Sequence, residues 1–346
     1  MTKTKLLGKC ILNKRQLAAQ AENVKKELIG GVEVLFEISH PTKEKILHAL
    51  KTDYLNYLDG LFPVLSAEIG WTLNNETILD VLSQNSKIRK QSRESIQTAI
   101  ELLEKIGFEH LNIHLTGDMR KIESNNFVSY ERNKMELLSE FREFLNEIGK
   151  KKIVLENIPL LEIPNPPGTF TTFHEIGKLP QDFIQLKTNT TLDIAHAGLT
   201  LRTLLDQEKQ KTFNSHQARV NSYLGWKPVY FGLEEQTMET KLLKQKETKK
   251  EKTTQEVIRW LKLIQRKGKL KQVHLNNCSY ENRLFKGKSM DGHIEGDLEL
   301  SKIIQGIRKV KPKFIVTEIK EEKEDYVNLK NNKTVWEMIK KNKKGK

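Results

Sequence analysis

Short apolar runs alternate along the chain with segments in which apolar residues recur every three to four positions. Eight runs are typical of buried parallel strands, because several are continuously apolar rather than alternating. These strands are predicted over residues 6–12, 32–38, 62–69, 110–115, 152–158, 190–195, 272–276 and 314–319. Helical spacing predicts helices over residues 15–29, 93–106, 130–148, 254–264 and 298–310. Eight strands alternating with helices predict an α/β protein of the (β/α)8 TIM-barrel type.

Two segments are longer than a minimal barrel needs. Residues 160–182, after strand five, are rich in proline and aromatic residues, and we expect a long ordered loop over the barrel mouth. Residues 201–253, after strand six, predict an insertion that acts as a lid or binds a partner, with a disordered spacer as the alternative for its lysine-rich part. We therefore expect one barrel domain over residues 1–335, followed by a basic tail over residues 336–346.

Charge and composition narrow the class of protein. The chain has 346 residues, a net charge of +14 and a pI of about 9.4, and a basic surface favours phosphate backbones such as DNA. Part of this charge lies in lysine-rich runs typical of solvated helix faces or tails. No run reaches the roughly 18 apolar residues of a membrane span, and the N-terminus lacks a signal-peptide pattern. We expect a cytoplasmic monomer without a membrane association, and the two cysteines suggest no disulfide framework.

Residues that can bind a metal stand where the predicted strands end. These residues are His114, Glu156, Asp193, His274 and Glu318, with His196 three positions after Asp193 and an Asp291-Gly292-His293 segment before the last strand. Each residue alone fits a structural role, since a strand-end histidine is commonly a hydrogen-bonded core residue. The carboxyl ends of barrel strands meet at one mouth, however, and several buried carboxylates together need a cation. The mixed oxygen and nitrogen set suits a divalent metal such as zinc, manganese, cobalt or iron.

The segments around these residues resemble the endonuclease IV group of the xylose isomerase-like TIM barrels. The matching segments are Leu111-Asn112-Ile113-His114, Leu155-Glu156-Asn157, Leu192-Asp193-Ile194-Ala195-His196-Ala197, His274-Leu275-Asn276-Asn277, Asp291-Gly292-His293 and Thr317-Glu318. The resemblance implies a centre of two or three zinc ions, with manganese or cobalt as alternatives. By that resemblance, Glu156 would bridge two metals, His114 would complete the first site, Asp193, His274 and Glu318 would hold the second, and His196, Asp291 and His293 would hold the third.

Strand three departs from the family pattern. Ala67 falls where the family places a histidine that binds the first metal. Glu68 is a possible replacement ligand, but we expect strand alternation to turn it to the other face unless the backbone bulges.

The resemblance implies hydrolysis of the DNA backbone at abasic or damaged sites by a metal-bound hydroxide. Glu156 and Glu318 would be the catalytic residues. Arg283 and Lys286 are candidate phosphate contacts, with solvated loop charges as the alternative, and His40 either lines the mouth or caps a turn.

Two other functions stay open. The first is a single-metal sugar or sugar-phosphate isomerase or epimerase, in which Glu156, Asp193, His274 and Glu318 hold the metal and the substrate is a small sugar. The second is a non-catalytic relative that binds nucleic acid or a partner through its insertions, although the near-complete ligand set argues against it. His114, Asp291 and His293 favour the nuclease, because a single-metal isomerase does not need them, whereas Ala67 favours the isomerase.

Overall fold

A computed structural model provides the structure of the chain. It describes residues 4–11, 14–36, 60–70, 79–83, 85–105, 107–115, 127–149, 152–158, 176–177, 179–205, 249–278, 296–319 and 329–341. The remaining segments include most of the loop after strand five and residues 206–248 of the predicted insertion.

Eight parallel strands form a closed barrel. The strands are β1 (Lys5–Ile11), β2 (Val32–Phe36), β3 (Leu65–Ile69), β4 (Leu111–His114), β5 (Ile153–Glu156), β6 (Asn189–Asp193), β7 (Lys269–Leu275) and β8 (Phe314–Thr317). Each strand pairs with the next one along the chain, and β8 pairs with β1. The predicted (β/α)8 barrel is confirmed, and every observed strand overlaps a predicted one.

Helices cover the outside of the barrel. Within the described ranges they are α1 (Lys14–Lys25), α2 (Ser86–Glu104), α3 (Phe127–Glu147), α4 (Pro180–Leu186), α5 (Ile194–Leu205), α6 (Lys249–Lys267), α7 (Leu300–Val310) and α8 (Leu329–Lys341). The predicted apolar face of α6 is buried, with Val257, Trp260, Leu261 and Ile264 at most 1% exposed. Among these described helices, none has the length and apolar character needed to cross a bilayer.

The end of strand six differs from its prediction. The predicted strand continues to Ala195, whereas β6 ends at Asp193 and α5 begins directly after it. The Asp193 carboxylate explains the early end, because its Oδ1 accepts a hydrogen bond from the backbone N–H of His196 at 2.6 Å. An aspartate in this position satisfies a donor in the first turn of a helix and so favours helix initiation. Asp193 thus ends the strand and begins the helix.

The two predicted extra segments also contain regular structure at their described ends. The predicted loop over residues 160–182 includes the start of α4, where Asp182 Oδ2 accepts the backbone N–H of Leu179 at 3.1 Å. The predicted insertion over residues 201–253 begins in the last turn of α5 and ends in the first turn of α6.

The predicted boundary between barrel and tail falls inside α8. Trp336 of this helix is 2% exposed, and its Nε1 donates a hydrogen bond of 2.8 Å to Oγ1 of Thr317 in β8. Arg308 of α7 donates to the backbone carbonyl oxygens of Met338 and Ile339. Residues 336–341 therefore belong to a helix, and Trp336, Met338 and Ile339 of that helix connect it to β8 and α7.

Strand alternation divides the barrel interior from the surrounding core. Leu7, Val64, Phe314 and Val316 form a separate buried apolar cluster that closes the amino-terminal end of the interior. Two positions further along the chain from Leu7, Val64 and Val316, the residues Lys9, Ser66 and Glu318 share the same inward face. The barrel interior is therefore apolar at the amino-terminal ends of the strands and charged toward their carboxyl ends.

Strand three places Glu68 inside the barrel, which corrects the expectation that alternation turns it away. Ala67 belongs to the apolar core between sheet and helices, and it pairs with Val34 of β2 and Leu111 of β4, which lie in the same core. Glu68 pairs with Leu35 and Asn112 in continuous register, so no bulge is needed. Ala67 occupies the position of the histidine expected by resemblance, and the next residue, Glu68, supplies a carboxylate instead.

Candidate metal centre

Six of the predicted ligands converge at the carboxyl end of the barrel. His114, Glu156 and Asp193 are the last residues of β4, β5 and β6, and His274 is the second-to-last residue of β7. The other two are Glu318, directly after β8, and His196 in the first turn of α5. All six side chains are buried. The predicted ligands Asp291 and His293, and the candidate contacts His40, Arg283 and Lys286, lie outside the described residues.

Four of these residues form one ligand group. Glu156, Asp193, His274 and Glu318 each offer an atom, and these atoms lie within 4.8 Å of one another. His274 is central, because its Nδ1 lies 3.1 Å from Glu156 Oε2 and 3.2 Å from Glu318 Oε2. That nitrogen is buried and lies between the two carboxylates. A buried imidazole nitrogen flanked by carboxylate oxygens at these distances fits a shared proton, or a metal ion that replaces it.

A second group shares Glu156 with the first. His114, Glu156 and His196 also offer atoms within 4.8 Å of one another. Glu156 Oε1 lies 3.2 Å from His114 Nε2, whereas the other carboxylate oxygen of Glu156 faces His274. His196 Nδ1 donates to the backbone oxygen of Asn157 at 2.8 Å, which leaves the ring lone pair on Nε2. The two oxygens of Glu156 thus face two different candidate metal sites.

Asparagine side chains hold the carboxylates in place. Asn276 Nδ2 donates to Asp193 Oδ2 at 2.7 Å and to Glu318 Oε2 at 3.4 Å. Asn157 exchanges two hydrogen bonds with the backbone of Asp193. Asn112 donates to both Glu68 and Glu156. Hydrogen-bonded ligands of this kind are held in their orientation before a metal arrives.

Lys9 and Glu33 are central residues that the sequence interpretation missed. Lys9 Nζ lies 3.1 Å from Glu33 Oε1, 2.5 Å from Glu68 Oε2 and 3.1 Å from Glu318 Oε1. Both Lys9 and Glu33 are fully buried. The available signal was a charged residue inside each of the apolar runs that became β1 and β2, since Lys and Glu are almost never fully buried unless paired.

Glu33 also contacts the ligand His274. Its Oε1 lies 2.7 Å from His274 Nε2, and its Oε2 accepts a hydrogen bond of 2.6 Å from Gln272 Nε2. A proton on His274 Nε2 leaves the lone pair on Nδ1, which faces the other ligands. This carboxylate–histidine arrangement is the common way of orienting an imidazole that binds a metal.

The charges in the centre shift several pKa values. Burial opposes ionisation of Glu156, but His274 and His114 outweigh it and hold the pKa of Glu156 well below its ordinary value. Burial likewise lowers the pKa of His274, yet Glu156 and Glu33 raise it well above the ordinary range. For Glu33, burial is outweighed by Lys9 and His274, and its pKa falls to about 2. The imidazoles offset the carboxylates by holding protons, a role that a divalent cation can take over.

The fold is shared with solved protein structures, whereas no family model and no curated protein matches the sequence. A D-tagatose 3-epimerase-like protein is 17% identical, with a TM-score of 0.51 over 98% of this chain and 99% of the other. A xylose isomerase domain protein from Alicyclobacillus acidocaldarius is 11% identical, with a TM-score of 0.51 over 97% of this chain and 98% of the other.

An endonuclease IV from Thermus thermophilus is 13% identical over 96% of this chain and 98% of the other, with a TM-score of 0.47. This score is too low to favour one activity over another. The likenesses to the D-tagatose 3-epimerase-like protein and the xylose isomerase domain protein show a shared barrel fold over nearly the whole length of the chain. At such low identity they show the fold alone.

Proposed function

We propose that this protein is a metal-dependent phosphodiesterase that holds at least two divalent ions at its barrel mouth and cleaves the DNA backbone at abasic or damaged sites. The observation that carries the proposal is the position of Glu156 between two ligand groups. One of its oxygens faces His114 at 3.2 Å, and the other faces His274 at 3.1 Å. A carboxylate shared in this way is the arrangement expected of a bridging ligand in a two-metal site.

Two divalent ions held here would supply the positive charge that stabilises the attacking and leaving oxygens of a displacement at phosphorus. The residues of the chain would position these ions. Glu156 would bridge them, and Asp193, His274 and Glu318 would hold one of them. His114 and His196 would serve the other, and Asn276 would keep the oxygens of Asp193 and Glu318 aimed at the first. The donor set of nitrogen and oxygen favours zinc, with manganese or cobalt as alternatives.

The charge of the chain supports a polyanionic substrate. A net charge of +14 attracts nucleic acid through the release of counterions. A small sugar would not need so large a net positive charge on the protein for binding. The binding of DNA should therefore weaken steeply as salt is raised from 50 to 200 mM, and this is measured by titrating the protein into a labelled duplex.

The proposal is tested by counting metals and assaying cleavage together. The purified chain, reloaded with zinc, should contain at least two ions per chain and should cut a duplex that carries one abasic site. Glu156→Gln should lose metal from both groups and reduce cleavage by at least 100-fold. Glu104→Gln, an exposed substitution on α2, is the matched control and should change neither value. A metal-loaded wild-type chain that leaves every damaged duplex intact would sink the phosphodiesterase proposal.

One observation favours a second candidate, a single-metal sugar isomerase or epimerase. The group of Glu156, Asp193, His274 and Glu318 is complete without His114 and His196. Such a metal would polarise a ketose carbonyl and hydroxyl while a carboxylate moves a proton between adjacent carbons. One zinc ion per chain, no DNA cleavage and turnover of free ketoses would support this candidate over the first.

A further inference from the structure

A third acidic group lies deeper in the barrel than the two proposed metal sites. Glu33, Glu68 and His274 offer atoms within 4.8 Å of one another, which by geometry alone is a candidate metal site. The ammonium group of Lys9 contacts two of these residues, at 3.1 Å for Glu33 and 2.5 Å for Glu68. The positively charged side chain of Lys9 therefore already lies among these ligands.

We propose that the Lys9 ammonium is a built-in cation that takes the place of a metal ion in this third group and positions Glu318 for the neighbouring metal. This inference rests on the proposed metal centre, but it concerns a residue that binds no metal. Lys9 would be a positioning residue, because it acts through the carboxylates that it contacts.

The contacts of Lys9 resemble those of a bound cation. Its Nζ has three hydrogens and lies within 3.1 Å of carboxylates from three different elements of the barrel, namely Glu33, Glu68 and Glu318. The side chain is fully buried. An ammonium has no lone pair and cannot bind a metal, so Lys9 excludes an ion from the position that it occupies.

Among the described residues, the charges in the interior balance when Lys9 is included. The carboxylates of Glu33, Glu68, Glu156, Asp193 and Glu318 converge here, and all are at most 8% exposed. Two divalent ions together with one ammonium neutralise five carboxylates when the imidazoles are neutral. Buried carboxylates without a compensating cation are strongly unfavourable, and removing one partner of a buried ion pair leaves such a charge. Without Lys9, the interior would require a further cation.

Lys9 also connects the third group to the proposed metal ligands. It contacts Glu318 through Oε1, whereas Oε2 of the same carboxylate lies 3.2 Å from His274 Nδ1. Lys9 also contacts the carboxylate of Glu33, whose Oε1 lies 2.7 Å from His274 Nε2. Two ligands of the four-residue group thus take their orientation from one lysine.

The experiment compares zinc content in the wild-type chain and in Lys9→Ala, measured by elemental analysis after removal of free metal. If Lys9 stands in for a metal, Lys9→Ala should bind one more ion per chain than the wild type, and Lys9→Ala/Glu68→Gln should lose that extra ion. Added zinc should also raise the melting temperature of Lys9→Ala more than that of the wild type. Lys5→Ala, an exposed lysine on the same strand, is the matched control and should leave metal content and cleavage unchanged.

An unchanged or lower metal count in Lys9→Ala would overturn the proposal. If this variant fails to fold, anomalous scattering from wild-type crystals soaked in zinc decides the question. The proposal expects no ion between Glu33 and Glu68, and an ion found there beside a displaced Lys9 contradicts it. The phosphodiesterase proposal depends on the count and cleavage of the wild type, whereas this one depends on the difference between variant and wild type. The two can therefore fail separately.

Discussion

Asn276 and Glu33 illustrate how individual residues shape the centre without being proposed to bind a metal. Asn276 donates to oxygens of Asp193 and Glu318, and Glu33 contacts the ring nitrogen of His274 that faces away from the other ligands. The backbone N–H of His196 and the amide of Asn276 hold the two oxygens of Asp193, and Lys9 and Asn276 hold those of Glu318. Such supporting contacts commonly change metal affinity by 10- to 100-fold when they are removed.

His114 separates the two candidate functions at the scale of one residue. His114→Ala should lower the zinc content by one ion per chain and reduce cleavage of abasic-site DNA by at least 100-fold, because His114 belongs to the second ligand group alone. The four-residue group should keep its ion. Elemental analysis and a cleavage assay measure both effects. A variant that retains the wild-type metal content and full turnover would show that the second group binds no catalytic metal.

The junction between β6 and α5 shows how one residue can serve two elements. Asp193 ends the strand, accepts the N–H of His196 in the first helical turn and offers its other oxygen to the metal group. The helix thereby starts at a position that brings His196 to the same mouth.

The barrel also depends on contacts with α8, because Trp336 of this helix packs against β8 close to Glu318.

Trp336→Ala should destabilise the protein by about 3–5 kcal/mol, because it removes a large buried side chain and leaves a cavity. It also removes the hydrogen bond to Thr317, one residue before Glu318. Trp336→Phe, which keeps much of the ring, should cost considerably less. Urea unfolding of both variants measures the difference. Equal stability of Trp336→Ala and the wild type would mean that α8 contributes little to the barrel.

At the scale of the whole molecule, closure of the barrel brings together residues from opposite ends of the chain. β1 pairs with β8, so Lys9 meets Glu318, and Gln272 of β7 reaches both Glu33 of β2 and His110 before β4. The interior is one polar network that spans the barrel. The titratable side chains of this network stabilise the fold only while they keep the protonation states in which they can be buried.

Acid should weaken the barrel partly through His110. Burial, with a smaller effect of Lys271, lowers the pKa of this histidine to about 3, and its neutral ring contacts Gln272. Because the pKa is depressed in the folded state, the stabilising effect is complete above about pH 6.5 and is lost as the pH falls toward 3. Each pH unit in this window costs about 1.4 kcal/mol per such group.

His110→Gln should therefore show a shallower loss of stability between pH 6 and pH 4 than the wild type, measured by urea unfolding in the presence of a chelator. The exposed substitution Glu104→Gln should keep the wild-type slope. The same slope in His110→Gln and wild type would show that another group takes up the proton.

The pattern of the sequence by itself determined the eight strands, five of the helices around them and the residue types at the strand ends. These features depend on the local period of apolar residues, and parallel strands place their carboxyl ends together whatever the details of packing. It could therefore be predicted that His114, Glu156, Asp193, His274 and Glu318 meet at one end of the barrel. Only the tertiary structure decided that Glu68 faces inward, because the phase of a strand depends on its register with both neighbours. It also decided that Lys9 and Glu33 join the centre, since their partners lie far away in sequence and meet them only when the barrel closes.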